Sequence, residues 1–351
     1  MKHIDRTSCL RRDFYRRKRL QKSLRRDPKS KKYSGYIRVI APSIFSFSQN
    51  YDATVTFLQS IKQAAFKRPK TGHRKVFLDF ETIEAISVGA ALVLAAEIDR
   101  WQKIKNVKLV LKNYSSWSDD VKSLLHDIGF FALLGTPNSH SLCHGFSGEA
   151  ISVLELISCD SANGERIAEI SSRLSGIASA FEQDPVMYCA VLEAAYNGVL
   201  HGYPEKFSFQ YPPLHKTWWA TASWSPKEQT VKFIVYDQGV GISETLPRSK
   251  LYEKVVASLS SVTPVGSTLF KSDSTMIEAA LKVSRTSRSD GHGQGLRDIV
   301  APVESMAGAK LRILSGCGEV LYRQGEQISK RDRSNHIGGT LVEWTIPVGA
   351  T

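Results

Sequence analysis

The sequence has no long hydrophobic run: its longest apolar stretch, Val88 to Ala96, is far short of the ~20 residues a bilayer-spanning helix needs. Its five cysteines, Cys9, Cys143, Cys159, Cys189 and Cys317, are scattered without a CxxC pair. That spacing suggests neither a disulfide framework nor a zinc knuckle, and a reducing compartment is the default. Internal repeats are absent. The N-terminus carries arginines where a secretory signal would need an apolar core. The expectation from these absences is a soluble cytoplasmic protein with no membrane partner.

Charge is also missing from most of the chain. Of the net +13, a share of +11 belongs to residues 1–37, where 14 of the 47 Lys and Arg residues stand against Asp5, Asp13 and Asp27. The rest is close to neutral. Residues 1–35 therefore read as a basic arm, in which Leu10, Phe14 and Leu24 share a broad helical face. Such an arm is either a solubilising tail or an electrostatic contact for nucleic acid or an acidic partner. At 351 residues and 42% hydrophobic content, the remainder is long enough for two domains with cores of their own.

From residue 36 strand-like and helix-like patterns alternate. "YIRVIAP", "RKVFLDF" and "VKLVLKN" read as strands, and "TVTFLQSIKQAAF", "VGAALVLAAEIDRWQKI" and "SDDVKSLLHDIGFFALLG" as helices, which predicts a small α/β domain over 36–136. Residues 137–150 are rich in turn formers and read as a linker. Beyond them come a strand "ISVLELIS", two helices, a strand pair "TWWATASWSP" and "TVKFIVYDQG", a long polar segment, a helix "GLRDIVAPVESMAG", and the strands "KLRILSG" and "GTLVEWTIP". The expectation for 151–351 is an α/β sandwich with a mostly antiparallel sheet.

Within "VLEAAYNGVLHGY", Glu193, Asn197 and His201 are spaced by four and lie along one stripe of a helix. Asp184 and Pro185 supply its N-cap and first position. Cys189, Leu192, Tyr196 and Val199 are available for its core side. A Glu/Asn/His stripe alone is commonly just a solvated face, but three further elements follow in order. "VYDQGVGI" ends a strand at Asp237 and turns on Gly239 and Gly241. "GHGQGL" places Gly291, Gly293 and Gly295 directly before a helix, where free N–H groups favour phosphate. "HIGGTLVEWTIP" sets Gly339 and Thr340 at the start of the last strand.

The succession E-x3-N-x3-H, D-x-G-x-G, G-x-G-x-G-L and a late G-T resembles the Bergerat-fold (GHKL, histidine-kinase-like) ATPases, the fold of gyrase, histidine kinases and the mismatch-repair protein MutL. "EAAYNGVLHGY" is most similar to the corresponding helix of anti-sigma-factor serine kinases. The resemblance, which covers about 151–348, implies ATP and Mg²⁺ as cofactors. It implies Asn197 as the Mg²⁺ ligand, Glu193 as the catalytic base and His201 as part of the nucleotide site. Asp237 would accept from the adenine amino group, with Gly239 and Gly241 beside the base. Gly291, Gly293, Gly295 and Leu296 would contribute phosphate contacts and lid packing, and Thr340 the network on the adenine side. His292 and Gln294 depart from the small or apolar residues more usual in the third motif. Residues 242–290 would form the lid, with Lys282, Arg285 and Arg288 as candidate phosphate ligands.

The first half, through "VFLDFETIEAISVGAALVLAAEIDRW" and "VKSLLHDIGFFALLG", resembles a STAS domain, the fold of anti-anti-sigma factors. Asp79 and the turn Ile86-Ser87-Val88-Gly89 occupy the equivalent places. Ser87 falls at the family's phosphorylated serine, with Ile86 where the family has Asp. A plain helix N-cap is the competing role for Ser87. A histidine kinase would need a phosphoacceptor His in a dimerising hairpin; His126-Asp127 is the one near candidate and lies in the STAS-like segment, so that class is set aside. The leading expectation is a Mg-dependent regulatory ATPase or serine-kinase-like switch with a fused STAS-like module and a protein partner. The alternatives are a nucleic-acid-associated ATPase anchored by residues 1–35, and a catalytically silent nucleotide-dependent scaffold. A homodimer is compatible with each.

Overall fold

A computed structural model describes residues 36–66, 75–105, 109–135, 151–178, 184–248, 252–260, 272–286 and 294–348. The basic arm, the 137–150 segment, Gly291, Gly293 and Arg288 lie outside the described residues.

In the first half β1 (Tyr36–Ile40), β3 (Lys75–Asp79) and β5 (Leu109–Leu111) form a parallel sheet in the order β1-β3-β5. The two long helices α1 (Tyr51–Phe66) and α2 (Val88–Lys105) are the crossovers that parallel pairing requires. The short strands β2 (Ile44–Phe45) and β4 (Ala85–Ile86) pair separately, and α3 (Asp119–Asp127) and α4 (Phe130–Leu133) close the segment. The sequence pattern predicts one helix over 118–135, but the chain breaks at Gly129. Gly129 takes φ 86°, donates its N–H to His126 O at 2.9 Å, and lies so close to Glu155 that a Cβ would stand 3.0 Å from Glu155 Cγ. A left-handed glycine ends a helix without the steric cost other residues incur.

The second half is built on one large antiparallel sheet. Its strands are β6 (Ser152–Val153), β7 (Ile157–Cys159), β8 (Trp218–Ser225), β9 (Thr230–Asp237), β10 (Lys310–Ser315), β11 (Gly318–Arg323), β12 (Ser329–Asp332) and β13 (Thr340–Pro347). They run in the order β12-β11-β10-β13-β9-β8-β6, with β7 also on β8. One face is covered by α5 (Gly164–Ile177), α6 (Pro185–His201) and α10 (Gln294–Ser305), over a core that includes Ile167, Val191, Phe233, Ile299 and Trp344. The chain is thus mixed α/β with a large antiparallel sheet, as the pattern predicts. "ISVLELIS" forms two short strands rather than one, because β6 and β7 pair with different stretches of β8. The polar 242–290 segment, which the resemblance makes the lid, holds α7 (Ile242–Thr245), α8 (Tyr252–Ser260) and α9 (Asp273–Thr286). Leu246, Val255, Met276, Ala280 and Val283 make a small core among them.

The opposite face of the large sheet is covered by the first half. Its core continues through α2 into Trp219, Ile234, Tyr236, Leu314 and Leu341. The helix lies across the strands: Gly89 meets Leu341 and Ile234, Ala96 meets Gln238, and Asp99 meets Trp219. This placement accounts for the apolar run Val88 to Ala96. A helix packed on several sides needs apolar residues around its circumference, and Ala90 through Ala96, Ile98 and Trp101 are all fully buried. Glu97 and Arg100 are buried with them and pair with each other, while Lys62 of α1 lies 3.1 Å from Glu97. The loop before β13 is tied in as well, since Tyr51 donates to Asn335 O at 2.8 Å, and β10 is tied to the first half by Arg312, which donates to Phe47 O at 2.9 Å.

Candidate nucleotide site

Strand alternation decides which side chains of β9 face the helices. Val231, Phe233 and Val235 belong to the core under α5, α6 and α10, whereas Ile234 and Tyr236 belong to the core under α2. Asp237, the next residue on the helix side, puts a carboxylate at the end of an apolar stripe. Its register partners on neighbouring strands are Thr340 and Trp218, and Thr340 in turn faces Ser315. A lateral row Ser315, Thr340, Asp237, Trp218 therefore crosses the sheet. Ser315 and Thr340 share a hydroxyl hydrogen bond of 2.9 Å, and Ser315 Oγ accepts the Ile242 N–H at 2.8 Å.

Asp237 is buried, and burial pushes its carboxyl up to about 7; the backbone amides of Gly239 and Thr340 oppose that rise. Gly239 N–H donates to Oδ1 at 2.7 Å. The turn then continues through Gly241, whose φ of 95° is a conformation that side-chain-bearing residues rarely adopt. Val240 N–H donates to Gly202 O at 2.8 Å, fastening the turn to the end of α6.

α6 starts as its sequence predicts, with Asp184 accepting from Val186 N–H at 2.6 Å and Pro185 at the first position. Its inward face differs from the expected one. Met187, Ala190, Val191, Ala194, Ala195 and Gly198 are buried, Leu192 and Val199 are half-buried, Cys189 is exposed, and Tyr196 is 44% exposed. The reason is closeness: a Cβ on Gly198 would stand 3.2 Å from Asp237 Cβ. The helix presents its smallest residues to the strand end and turns the bulkier ones aside. A mid-helix glycine costs about 1 kcal/mol relative to alanine, and that cost is the sequence signal for a close approach that reading by hydrophobicity passed over.

Next to Gly198, Asn197 hydrogen-bonds to Glu193, one turn earlier on the helix. Both are half-buried. Desolvation raises the Glu193 carboxyl above the ordinary range, the Asp298 carboxylate adds to the rise, and the Asn197 bond opposes it. Gly295, at the start of α10, lies directly against this pair: a Cβ there would collide with Glu193 Oε1 and stand 3.3 Å from Asn197 Nδ2. Leu296 is half-buried and joins the main core to the small core of α8 and α9.

The structure thus brings Glu193, Asn197 and Gly295 together, and Asp237, Gly239, Gly241 and Thr340 together, with α6 connecting the two groups. His201 is exposed on the last turn of that helix. Lys282 is on α9 and pairs with Glu278 at 2.7 Å. Ser87 serves as an N-cap, its hydroxyl accepting from Ala90 N–H at 3.4 Å. Asp79 is buried and paired with Arg38. Gly198, Asp298, Ser315, Tyr203 and Gln238 were not foreseen as parts of the site, since only the folded chain places them there.

No protein-family model matches the chain, and no curated protein matches it either. Among the described residues no group of three or more His, Cys, Asp or Glu side chains is arranged to hold a metal ion, and no helix is long and apolar enough to cross a membrane.

Proposed function

We propose that residues 151–351 form a Bergerat-type ATP site, that the chain is a Mg-dependent regulatory ATPase or serine-kinase-like switch, and that residues 36–136 are its STAS-like module. The observation that carries this reading is the convergence described above. A helix bearing Glu193 and Asn197 crosses a strand end bearing a buried Asp237, with Thr340 beside it and Gly295 closing from a second helix.

The donor set fits the group. Asp237 sits in a cradle that side chains at Gly198 or Gly202 would fill. It offers a buried acceptor that selects an amino-bearing base, because an unmatched partner would leave that carboxylate unsatisfied. Asn197 offers a neutral amide oxygen of the kind hard cations accept, and Mg²⁺ takes few protein ligands when phosphates and waters complete its shell. Bound there, Mg·ATP supplies a transferable γ-phosphoryl group whose charge the metal partly neutralises. Glu193, held by Asn197 and raised by its surroundings, would take the proton of the attacking water or hydroxyl. Gly295 lets α10 approach without displacing that carboxylate.

The test is turnover. Wild type should release phosphate from Mg·ATP or transfer it to a hydroxyl, and Glu193→Ala should bind ATP without doing either. Equal turnover by the two proteins would remove Glu193 from the mechanism. Phosphopeptides spanning residues 79–100 would mark the kinase branch at Ser87; turnover without them would mark an ATPase.

A further inference from the structure

The residue following Asp237 is buried, polar and turned the other way. Gln238 is 2% exposed, and its side chain points into the contact between the large sheet and the first half. Its Nε2 donates to Ala96 O of α2 at 3.2 Å, and its Oε1 accepts Leu214 N–H at 3.3 Å. Its own N–H donates to the Tyr203 hydroxyl at 3.0 Å, and that hydroxyl donates to Thr217 O at 2.6 Å. One residue is therefore pinned to α2, to the loop before β8 and to the chain leaving α6.

Packing alone does not explain this choice. A buried amide costs free energy unless its hydrogen bonds are remade, and an apolar side chain of similar length would fill the same space. The bonds do fix the backbone one step beyond the carboxylate. With Gln238 held from behind, and Gly239 N–H on Asp237 Oδ1 in front, the direction of the carboxylate is set. The anchor behind it is itself buried and ion-paired. One residue beyond Ala96, Glu97 pairs with Lys62 and Arg100, and Asp99 accepts Trp219 Nε1–H at 3.0 Å.

We infer that Gln238 is a positioning residue for Asp237, through which residues 36–135 set the base selectivity of the nucleotide site. The inference rests on the nucleotide reading given above. It makes the first half a regulator that acts from behind the sheet, without reaching the nucleotide. A shift of α2 on the strands moves the Gln238 anchor and with it Asp237, and by reciprocity nucleotide binding strengthens the hold on α2.

The experiment uses the full chain carrying Gln238→Met, which keeps length and loses both side-chain hydrogen bonds. A second variant, Tyr203→Phe, removes the hydroxyl that holds residue 238 from the other side. Two quantities are read in each: amide exchange at residues 238–240 without nucleotide, and the ratio of ATP to GTP affinity. The expected result is a folded protein with faster exchange at those amides and an ATP/GTP ratio lowered about tenfold, the scale of one buried hydrogen bond. A folded variant with lower thermal stability but an unchanged ratio would make Gln238 merely structural and overturn the inference. If Gln238→Met does not fold, Tyr203→Phe decides by the same criteria. Should wild type bind no nucleotide, the ATP reading fails, and the exchange measurement still stands: unchanged exchange at 238–240 overturns the anchoring.

Discussion

Replacing Asp237 by Asn should stabilise the nucleotide-free protein while weakening the function the residue serves. Burial holds this carboxyl at about 7 against an ordinary value of 3.8. Because the folded value is the higher one, the fold favours the neutral acid. Its stability is full below the unfolded value and falls as pH rises through the folded one. At ~1.4 kcal/mol per tenfold, the whole rise corresponds to about 4 kcal/mol of stability given up near neutrality. Asn cannot ionise, and it can still accept the Gly239 N–H that Oδ1 now accepts at 2.7 Å. The stability difference between Asp237→Asn and wild type should therefore widen by about 2 kcal/mol from about pH 5.5 to about pH 8 and level off above that. Urea unfolding of both proteins across that range measures it. A difference that stays constant with pH, or a variant that is less stable at the alkaline end, would refute the reasoning. Binding of an amino donor favours the ionised carboxylate, so wild-type ATP affinity should rise over the same interval, and the variant's should be flat and weaker. An unchanged ATP/GTP preference in Asp237→Asn would count against base selection by this residue.

Gly295→Ala should lower turnover strongly at small cost in stability, because the added Cβ collides with the end of the Glu193 side chain rather than with backbone; steady-state rates beside a thermal melt separate the two effects. Deleting residues 1–34 should leave ATP binding intact and remove most affinity for polyanions, since the arm holds most of the excess charge. Equal DNA or RNA binding by the truncated protein at the same salt would contradict this. Ser87→Ala should cost about 1 kcal/mol in unfolding free energy through the lost N-cap; no change would show that the 3.4 Å bond to Ala90 N–H contributes nothing.

Local chemistry made much of this arrangement legible in the sequence. The cap at Asp184-Pro185, the strand ending at Asp237 and the glycine turn after it are each set by residues near one another, and each stands where its pattern places it. Readings that depended on distant partners fared differently. The inward face of α6 is chosen by the space Asp237 leaves beside Gly198, and hydrophobicity ranks Tyr196 above Gly198 for that face. The sequence pattern does not announce β11 or β12, and β12 is a charged, exposed edge strand without the apolar alternation of a half-buried one. The apolar run of α2 was visible, but what covers it was not. Its contact with Gln238 joins residues 142 apart in sequence, and nothing local to either residue announces the other.

The most direct test of the nucleotide site is a calorimetric titration of the full chain with ATP, with and without Mg²⁺, repeated on Asn197→Ala. The account predicts that wild type binds ATP more tightly when Mg²⁺ is present and that Asn197→Ala loses this dependence on the metal. ATP binding that is absent in wild type, or equally metal-dependent in both proteins, would contradict it.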